Sequence, residues 1–162
     1  MAFIKGEDRV LSIKVDGNWL PIGCLTSNSF SESSEMLNTT TRDNTNGWQS
    51  SVPTTQSYSV SFDGILEDEY SSTSKTTYYQ LVTFKRYKNL IEWRVDDGLT
   101  PANYDYGSGY ITELSNANEM DSFVTFSGTI EGQGVVDNEE YARLLLEGGH
   151  FVLLETDDKI EL

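Results

Sequence analysis

The chain is short of the residues that most chemistry needs. Its 162 residues contain one cysteine, one histidine and three prolines. A single Cys24 excludes an internal disulfide and a cysteine-based metal cluster. The lone His150 follows Gly148-Gly149 and precedes the apolar Phe151-Val152-Leu153-Leu154. That setting suits a turn or strand edge better than a catalyst. No run of 18 apolar residues is present, so no helix-forming stretch is long enough to span a bilayer. The N-terminal Met1-Ala2-Phe3-Ile4-Lys5-Gly6 lacks the apolar stretch of a secretion signal. Cations are scarce as well: 11 Lys and Arg stand against 26 Asp and Glu, a net charge of −15. Such a chain is not built to wrap nucleic acid, which calls for Lys and Arg facing phosphates. Solubility alone is the plainest use of so much negative charge.

Catalytic signatures are missing too. No Ser sits in a G-x-S-x-G elbow, and no phosphate-binding G-x-x-x-x-G-K-[ST] loop occurs. Gly107-Ser108-Gly109 and Gly132-Gln133-Gly134 do not complete a dinucleotide fingerprint. Acid clusters such as Glu67-Asp68-Glu69 are expected by chance among so many carboxylates. Asp43-Asn44-Thr45-Asn46-Gly47 has the look of a calcium loop, but the glycine falls at the wrong position. The reading is therefore no enzyme, no metal and no cofactor.

What the chain does have is a segment that occurs twice. Ser57-Tyr58-Ser59-Val60-Ser61-Phe62-Asp63-Gly64-Ile65-Leu66-Glu67 is answered by Asp121-Ser122-Phe123-Val124-Thr125-Phe126-Ser127-Gly128-Thr129-Ile130-Glu131, each residue 64 positions on. Both copies alternate, with Val or Phe, Gly and an aliphatic residue on one face and hydroxyls with an acid on the other. Strict alternation is the mark of a half-buried strand. A further echo links Gly109–Ser115 to Gly23–Ser29 at an offset of 86.

Around the repeat, residues 10–15 alternate with Leu11, Ile13 and Val15 on one face, and Asp16-Gly17 signals a tight hairpin. A strand is expected over 18–32, with Pro21 at an edge or bulge. Residues 38–57 read as a long polar loop carrying Trp48, a potential partner anchor. A helix is expected over 75–89, with Tyr78, Leu81, Val82 and Phe84 on one side and Lys85, Arg86 and Lys88 at its C-terminal end. A strand follows over 90–96. In the second half, a helix opening at Asp137-Asn138-Glu139-Glu140 and carrying Tyr141 and Leu144–Leu146 leads to a strand over 151–155 and an acidic tail, 156–162. The pattern predicts a single mainly-β domain over 1–162: an antiparallel sandwich or barrel, internally duplicated, with one or two flanking helices.

In order and spacing, several of these features resemble the major tail tube proteins of long-tailed bacteriophages. They are Lys5-Gly6, the strand Gly23-x-Leu25-Thr26-x-Asn28-x-Phe30-Ser31, and the polar loop ending in Gly47-Trp48 before Val52-Pro53. The strands Tyr58-x-Val60-x-Phe62-x-Gly64 and Val124-x-Phe126-x-Gly128-x-Ile130-x-Gly132-x-Gly134 complete the set. The resemblance spans about residues 3–155. It implies a structural virion protein located in the tail and assembled in the host cytoplasm. Six copies would form a ring whose sheets join in one barrel, and rings would stack into a conduit for genome delivery. Its partners would be further copies of itself, the tape measure protein, and the tail terminator and baseplate or distal tail proteins. DNA would pass through the lumen unbound, and no membrane is involved. On this reading Ser57, Ser59, Ser61, Asp63, Thr125, Ser127, Thr129 and Glu131 line the lumen, while Val60, Phe62, Leu66, Val124, Phe126 and Ile130 face the core. Asp43, Trp48, Val52 and Pro53 are the inter-ring contacts.

Two alternatives stand beside it. The fold class is shared with inner tubes of contractile tails and type VI-like injection systems. A carbohydrate-binding β-sandwich would use Trp48, Tyr104, Tyr106 and Tyr110 as stacking aromatics, three of them on a Gly-rich loop.

Overall fold

The structure, a computed structural model, describes residues 3–41, 47–97 and 104–138. The second-half helix, the strand over 151–155, His150 and the acidic tail lie outside these residues. After a 3-10 turn at Gly6–Asp8 come β1 (Val10–Val15), β2 (Asn18–Pro21), β3 (Leu25–Asn38) and β4 (Ser51–Ile65). Helix α1 (Tyr78–Arg86), β5 (Ile91–Asp96), β6 (Tyr104–Ala117) and β7 (Thr125–Asn138) follow. The mainly antiparallel architecture with a flanking helix is the expected one. The strands form one seven-stranded sheet in the order β2-β1-β5-β6-β7-β4-β3. It curls on itself, so that Phe30 of β3 packs on Trp93 of β5 with ring centroids 5.4 Å apart. Asn28 of β3 also donates from Nδ2 to the carbonyl of Arg9, just before β1 (3.0 Å).

Local chemistry explains most of the elements. Asp16 and Gly17 both take positive φ (50° and 83°) between the paired Val15 and Asn18. That is the two-residue turn whose twist matches antiparallel strands. The strand expected over 18–32 breaks in two. Cys24 adopts φ 54°, and the carbonyl of Cys24 leaves the ladder to accept from Ile65 N–H. Pro21 ends β2, as its missing N–H demands. The helix is shorter than expected. It opens where the backbone N–H of Thr77 donates to Gln80 Oε1 (3.0 Å), the recurring Thr-x-x-Gln cap. It closes at Lys88, which takes φ 54°. Leu81 is fully buried, and Tyr78 and Phe84 pack beside it against the core.

The long loop expected over 38–57 is strand at both of its ends. β3 runs on to Asn38 and β4 starts at Ser51, with Leu37 paired to Val52 and Met36 to Pro53. Thr and Ser side chains there alternate with no apolar face, which disguises a strand as a loop. Asp137 belongs to β7, opposite Tyr106.

The core comprises Leu11, Ile13, Ile22, Val60, Phe62, Leu81, Ile91, Trp93, Val95, Ile111, Phe126 and Ile130. Val60, Phe62, Phe126 and Ile130 thus face inward as the repeat predicts, while Leu66 packs at the margin and Val124 is half-buried. The repeated strands are direct neighbours. β4 and β7 pair antiparallel, with Val60 opposite Ile130, Phe62 opposite Gly128 and Gly64 opposite Phe126. A Cβ on Gly128 would lie 2.5 Å from the Phe62 ring, and one on Gly64 would lie 2.7 Å from the Phe126 ring. Each Phe-x-Gly copy therefore houses the phenyl ring of the other.

Candidate functional site

The face of the sheet opposite the core carries the residues expected to line a lumen. Ser59 stands opposite Glu131, Ser61 opposite Thr129 and Asp63 opposite Ser127 across the β4–β7 ladder. Thr125 pairs with Ile65, one step beyond. Directly opposed residues share a face, so the two strands present one continuous hydroxyl-and-acid surface.

Two more strands extend it, and the sequence reasoning missed both. On β3, Ser27, Ser29, Ser31 and Ser33 stand opposite Asp63, Ser61, Ser59 and Ser57. On β6, Glu113 and Ser115 stand opposite Thr129 and Ser127. Side chains tie the rows together. Ser27 Oγ donates to Asp63 Oδ2 (3.0 Å), and Ser31–Ser59, Ser33–Ser57 and Ser115–Ser127 hydroxyls meet at 3.1, 2.9 and 2.8 Å. The signal available in the sequence was serine at every second position from 27 to 33.

The β4–β7 pairing is a local dyad, and it relates β3 to β6. Ser27 and Ser115 take equivalent places, an offset of 88 in place of the expected 86. The slip is two residues, so the faces are unchanged.

Electrostatically the surface has one sign. Asp63, Glu113 and Glu131 lie on it, and β3, β4, β6 and β7 together contain no Lys or Arg. The cations lie elsewhere: on β1, β5, α1 and their flanks among the described residues.

Both ends of this four-strand surface have open edges. β3 is the terminal strand of the sheet. β5 leaves β6 after the Ile91–Gly109 pair, so residues 110–117 of β6 pair with β7 alone. Long open edges are templates for pairing with another chain.

The residues expected at ring contacts cluster at the tip of the β3–β4 hairpin, apart from Asp43, which lies outside the described residues. β4 pairs with β7 only from Ser59 onward, so residues 51–58 form a two-stranded arm with β3. Val52 and Pro53 sit on that arm beside Met36 and Leu37, and Trp48 beyond it is 80% exposed. At the opposite end of the four-strand surface, Met120 and Phe123 in the β6–β7 turn are 92% and 81% exposed.

The Gly-rich loop of the carbohydrate-binding reading is instead strand β6. Its glycines serve packing. A Cβ on Gly107 would lie 2.8 Å from the Tyr58 hydroxyl and 3.2 Å from the Trp93 ring, and that hydroxyl donates to the carbonyl of Ser108 (2.6 Å). Tyr104 packs on the Arg94 guanidinium and on Tyr106. No cluster able to hold a metal occurs among the described residues.

One polar cluster lies off this face. Lys75 bridges Glu67 and Glu69 beside the Cys24 thiol. Hydrogen bonds from Cys24 and Lys75 hold the Glu67 carboxyl below its ordinary range, and the bond to Glu67, with burial, pushes the thiol up. A thiol so placed is a poor nucleophile.

The sheet thus presents one hydroxyl-lined, cation-free face bordered by two open edges. The phage tail tube protein family matches residues 3–138. The chain belongs to that family. It is a structural protein of the viral tail, a constituent of its tube. The tail tube protein is similar in fold to a chain in the tail of an empty gene transfer agent (GTA) particle refined with C6 symmetry, with TM-score 0.70 and 17% identity over 82% of this chain and 96% of that one. It is similar to the SPP1 tail tube, with TM-score 0.66 and 12% identity over 83% of this chain and 78% of that one. A chain in the anti-feeding prophage baseplate shares the fold at TM-score 0.57 and 8% identity, covering 80% of this chain and 91% of that one. No curated protein matches the sequence.

Proposed function

We propose that copies of this tail tube protein join edge to edge into six-membered rings, that the rings stack, and that the hydroxyl-and-acid face of β3, β4, β7 and β6 lines the resulting bore. The observation that carries the reading is the pairing of that cation-free face with open edges on both sides of it. The C6 symmetry of the structurally similar GTA tail supports the ring number.

The geometry is self-consistent. The four strands alternate in direction, and a rotation about the tube axis preserves direction. β6 of one copy therefore meets β3 of the next antiparallel, the same pairing as within the chain. Six copies of four strands, at about 4.8 Å per strand, close a barrel about 37 Å across at the backbone, which strand tilt widens. Such a bore admits a nucleic-acid duplex. Short hydroxyls keep its wall smooth, and carboxylates repel phosphate, so genome slides through without binding. Ser57, Ser59, Ser61, Asp63, Thr125, Ser127, Thr129 and Glu131 serve there, joined by Ser27, Ser29, Ser31, Glu113 and Ser115.

Stacking falls to the ends of the strands. The arm tip, with Trp48, Val52 and Pro53, and the β6–β7 turn, with Met120 and Phe123, are apolar surfaces at opposite ends of one molecule. A head-to-tail contact between them propagates without limit. The tape measure protein, tail terminator and baseplate or distal tail proteins complete the partner set, with assembly in the host cytoplasm and delivery in the virion tail. The role calls for no catalysis.

Negative-stain microscopy of the concentrated, purified chain tests this. Rings or long hollow tubes are expected. A protein that stays monomeric at all concentrations contradicts the reading. The fold shared with the anti-feeding prophage baseplate chain keeps a second reading, the inner tube of a sheathed injection apparatus. Co-assembly with a sheath protein encoded beside this chain is the observation that selects it.

A further inference from the structure

Cations are rare on this chain, and most described ones are already paired. Lys5 pairs with Glu7, Arg9 with Asp105, Lys14 with Glu92, Lys75 with Glu67 and Glu69, and Arg94 with Asp96. Lys85, Arg86 and Lys88 remain, exposed and without an ion pair to any described residue. All three lie at the C-terminal end of α1. Lys85 and Lys88 line a groove with Phe84, Asn89, Tyr110 and Ile111, where β6 loses its β5 partner and its edge opens.

The opposite edge of the molecule carries the complement. β3 has no cation, and its Glu32 and Glu35 are exposed, with no ion pair to any described residue. Glu32 stands opposite Tyr58, a core-side residue. Its side chain therefore points to the side of the sheet on which α1 lies, away from the serines.

The two edges meet on the same side of the sheet. The α1 terminus borders β6 at Tyr110 and Ile111, where the open edge begins. A neighbour's β3 added along residues 110–117 of β6 carries Glu32 on its core-side face past that terminus, and Glu35 follows about 10 Å along the strand.

We propose that the α1 C-terminal cations, Lys85, Arg86 and Lys88, are the receptor for Glu32 and Glu35 on the β3 edge of the adjacent copy, and that this charge pairing sets the register of the lateral joint. The inference rests on the edge-to-edge reading above. It assigns the three described cations without an ion pair to a described residue a task that helix-dipole compensation alone does not require of three residues. Backbone pairing alone tolerates slips of two residues, since they preserve faces. A charge pair at one level does not.

The test uses the full chain and reads the assembled fraction by sedimentation and negative-stain microscopy. Lys85→Glu with Lys88→Glu is expected to lower assembly by about tenfold or more, because like charges then face each other across the joint. Glu32→Lys with Glu35→Lys is expected to do the same, and the two pairs of reversals combined to restore tubes. All four side chains are exposed, and the neutral Lys85→Gln with Lys88→Gln, together with circular dichroism, separates a folding defect from a joint defect. Wild-type assembly is also expected to weaken as salt rises. Tubes from the α1 reversal at wild-type yield overturn the proposal, as does a combined variant that stays unassembled while each parent folds. A wild-type chain that never forms rings overturns the edge-to-edge reading itself, and the proposal with it.

Discussion

The two Phe-x-Gly copies illustrate how much single residues decide. Gly64 and Gly128 are glycines because a phenyl ring from the other copy occupies the Cβ position. Gly128→Ala is expected to destabilise the fold by about 1–3 kcal/mol, the usual cost of overpacking. Adding Phe62→Leu is expected to recover part of that loss. Urea denaturation of the single and double variants measures the coupling, and strict additivity would disprove the contact. Lys75 gives a second residue-scale prediction. The Glu67 carboxyl is lowered from 4.5 by its bonds to Cys24 and Lys75, so its contribution is present above 4.5 and fades as pH falls through the folded value. Lys75 is raised from 10.5 by Glu67 and Glu69, so its contribution is complete below 10.5 and is lost as pH rises through the folded value. The stability gap between wild type and Lys75→Met is therefore expected to be flat between those limits and to shrink at both ends. Thermal melts across pH check this, and a gap that does not depend on pH would rule out the ion pairs.

At the level of elements, the β3–β4 arm is the most instructive. A two-stranded ribbon is marginal in water unless something covers it. Here it carries Met36, Leu37, Val52 and Trp48 in the open. Trp48→Ala is expected to leave the unfolding free energy within about 0.5 kcal/mol of wild type, as for an exposed side chain. It should nonetheless shorten or abolish tubes while rings persist in micrographs. Loss of rings along with tubes would place Trp48 at the lateral joint instead. The arm also shows why part of the fold escaped the sequence reading. Its strands lack a core face, so alternation between apolar and polar residues, the main strand signal, is absent from 51–57. Serine periodicity on β3 was visible, but only pairing to β4 reveals it as part of a surface. Asp137 could be read as a helix cap because caps and strand ends draw on the same polar residues.

For the whole molecule, charge is partitioned by element. Four long strands hold every proposed lumen residue and no cation, while the described cations sit on β1, β5, α1 and their flanks. Ser59→Arg with Ser61→Arg would put two cations per copy into the bore, and with six-fold repetition a ring of charge facing phosphate. Virions built from this variant are expected to assemble tails but to eject their genome at least tenfold more slowly, each phosphate contact adding a salt-dependent hold. Ejection at the wild-type rate, in low salt, would remove this face from the lumen.

The mainly-β class, the repeat and the inward set Val60, Phe62, Phe126 and Ile130 are legible along the chain alone. Each of these follows from the two-residue period of a half-buried strand, and that period is local. The acidic balance, 26 Asp and Glu against 11 Lys and Arg, is equally a property of composition. It took the folded molecule to show that the two repeats lie side by side with each ring over the other's glycine. It alone placed β3 and β6 as the outer members of one hydroxyl-bearing surface, and left their far edges open beside acids on one and cations on the other. Those outcomes depend on which strands hydrogen-bond and in what register, and strand pairing is a long-range choice that no window of sequence contains.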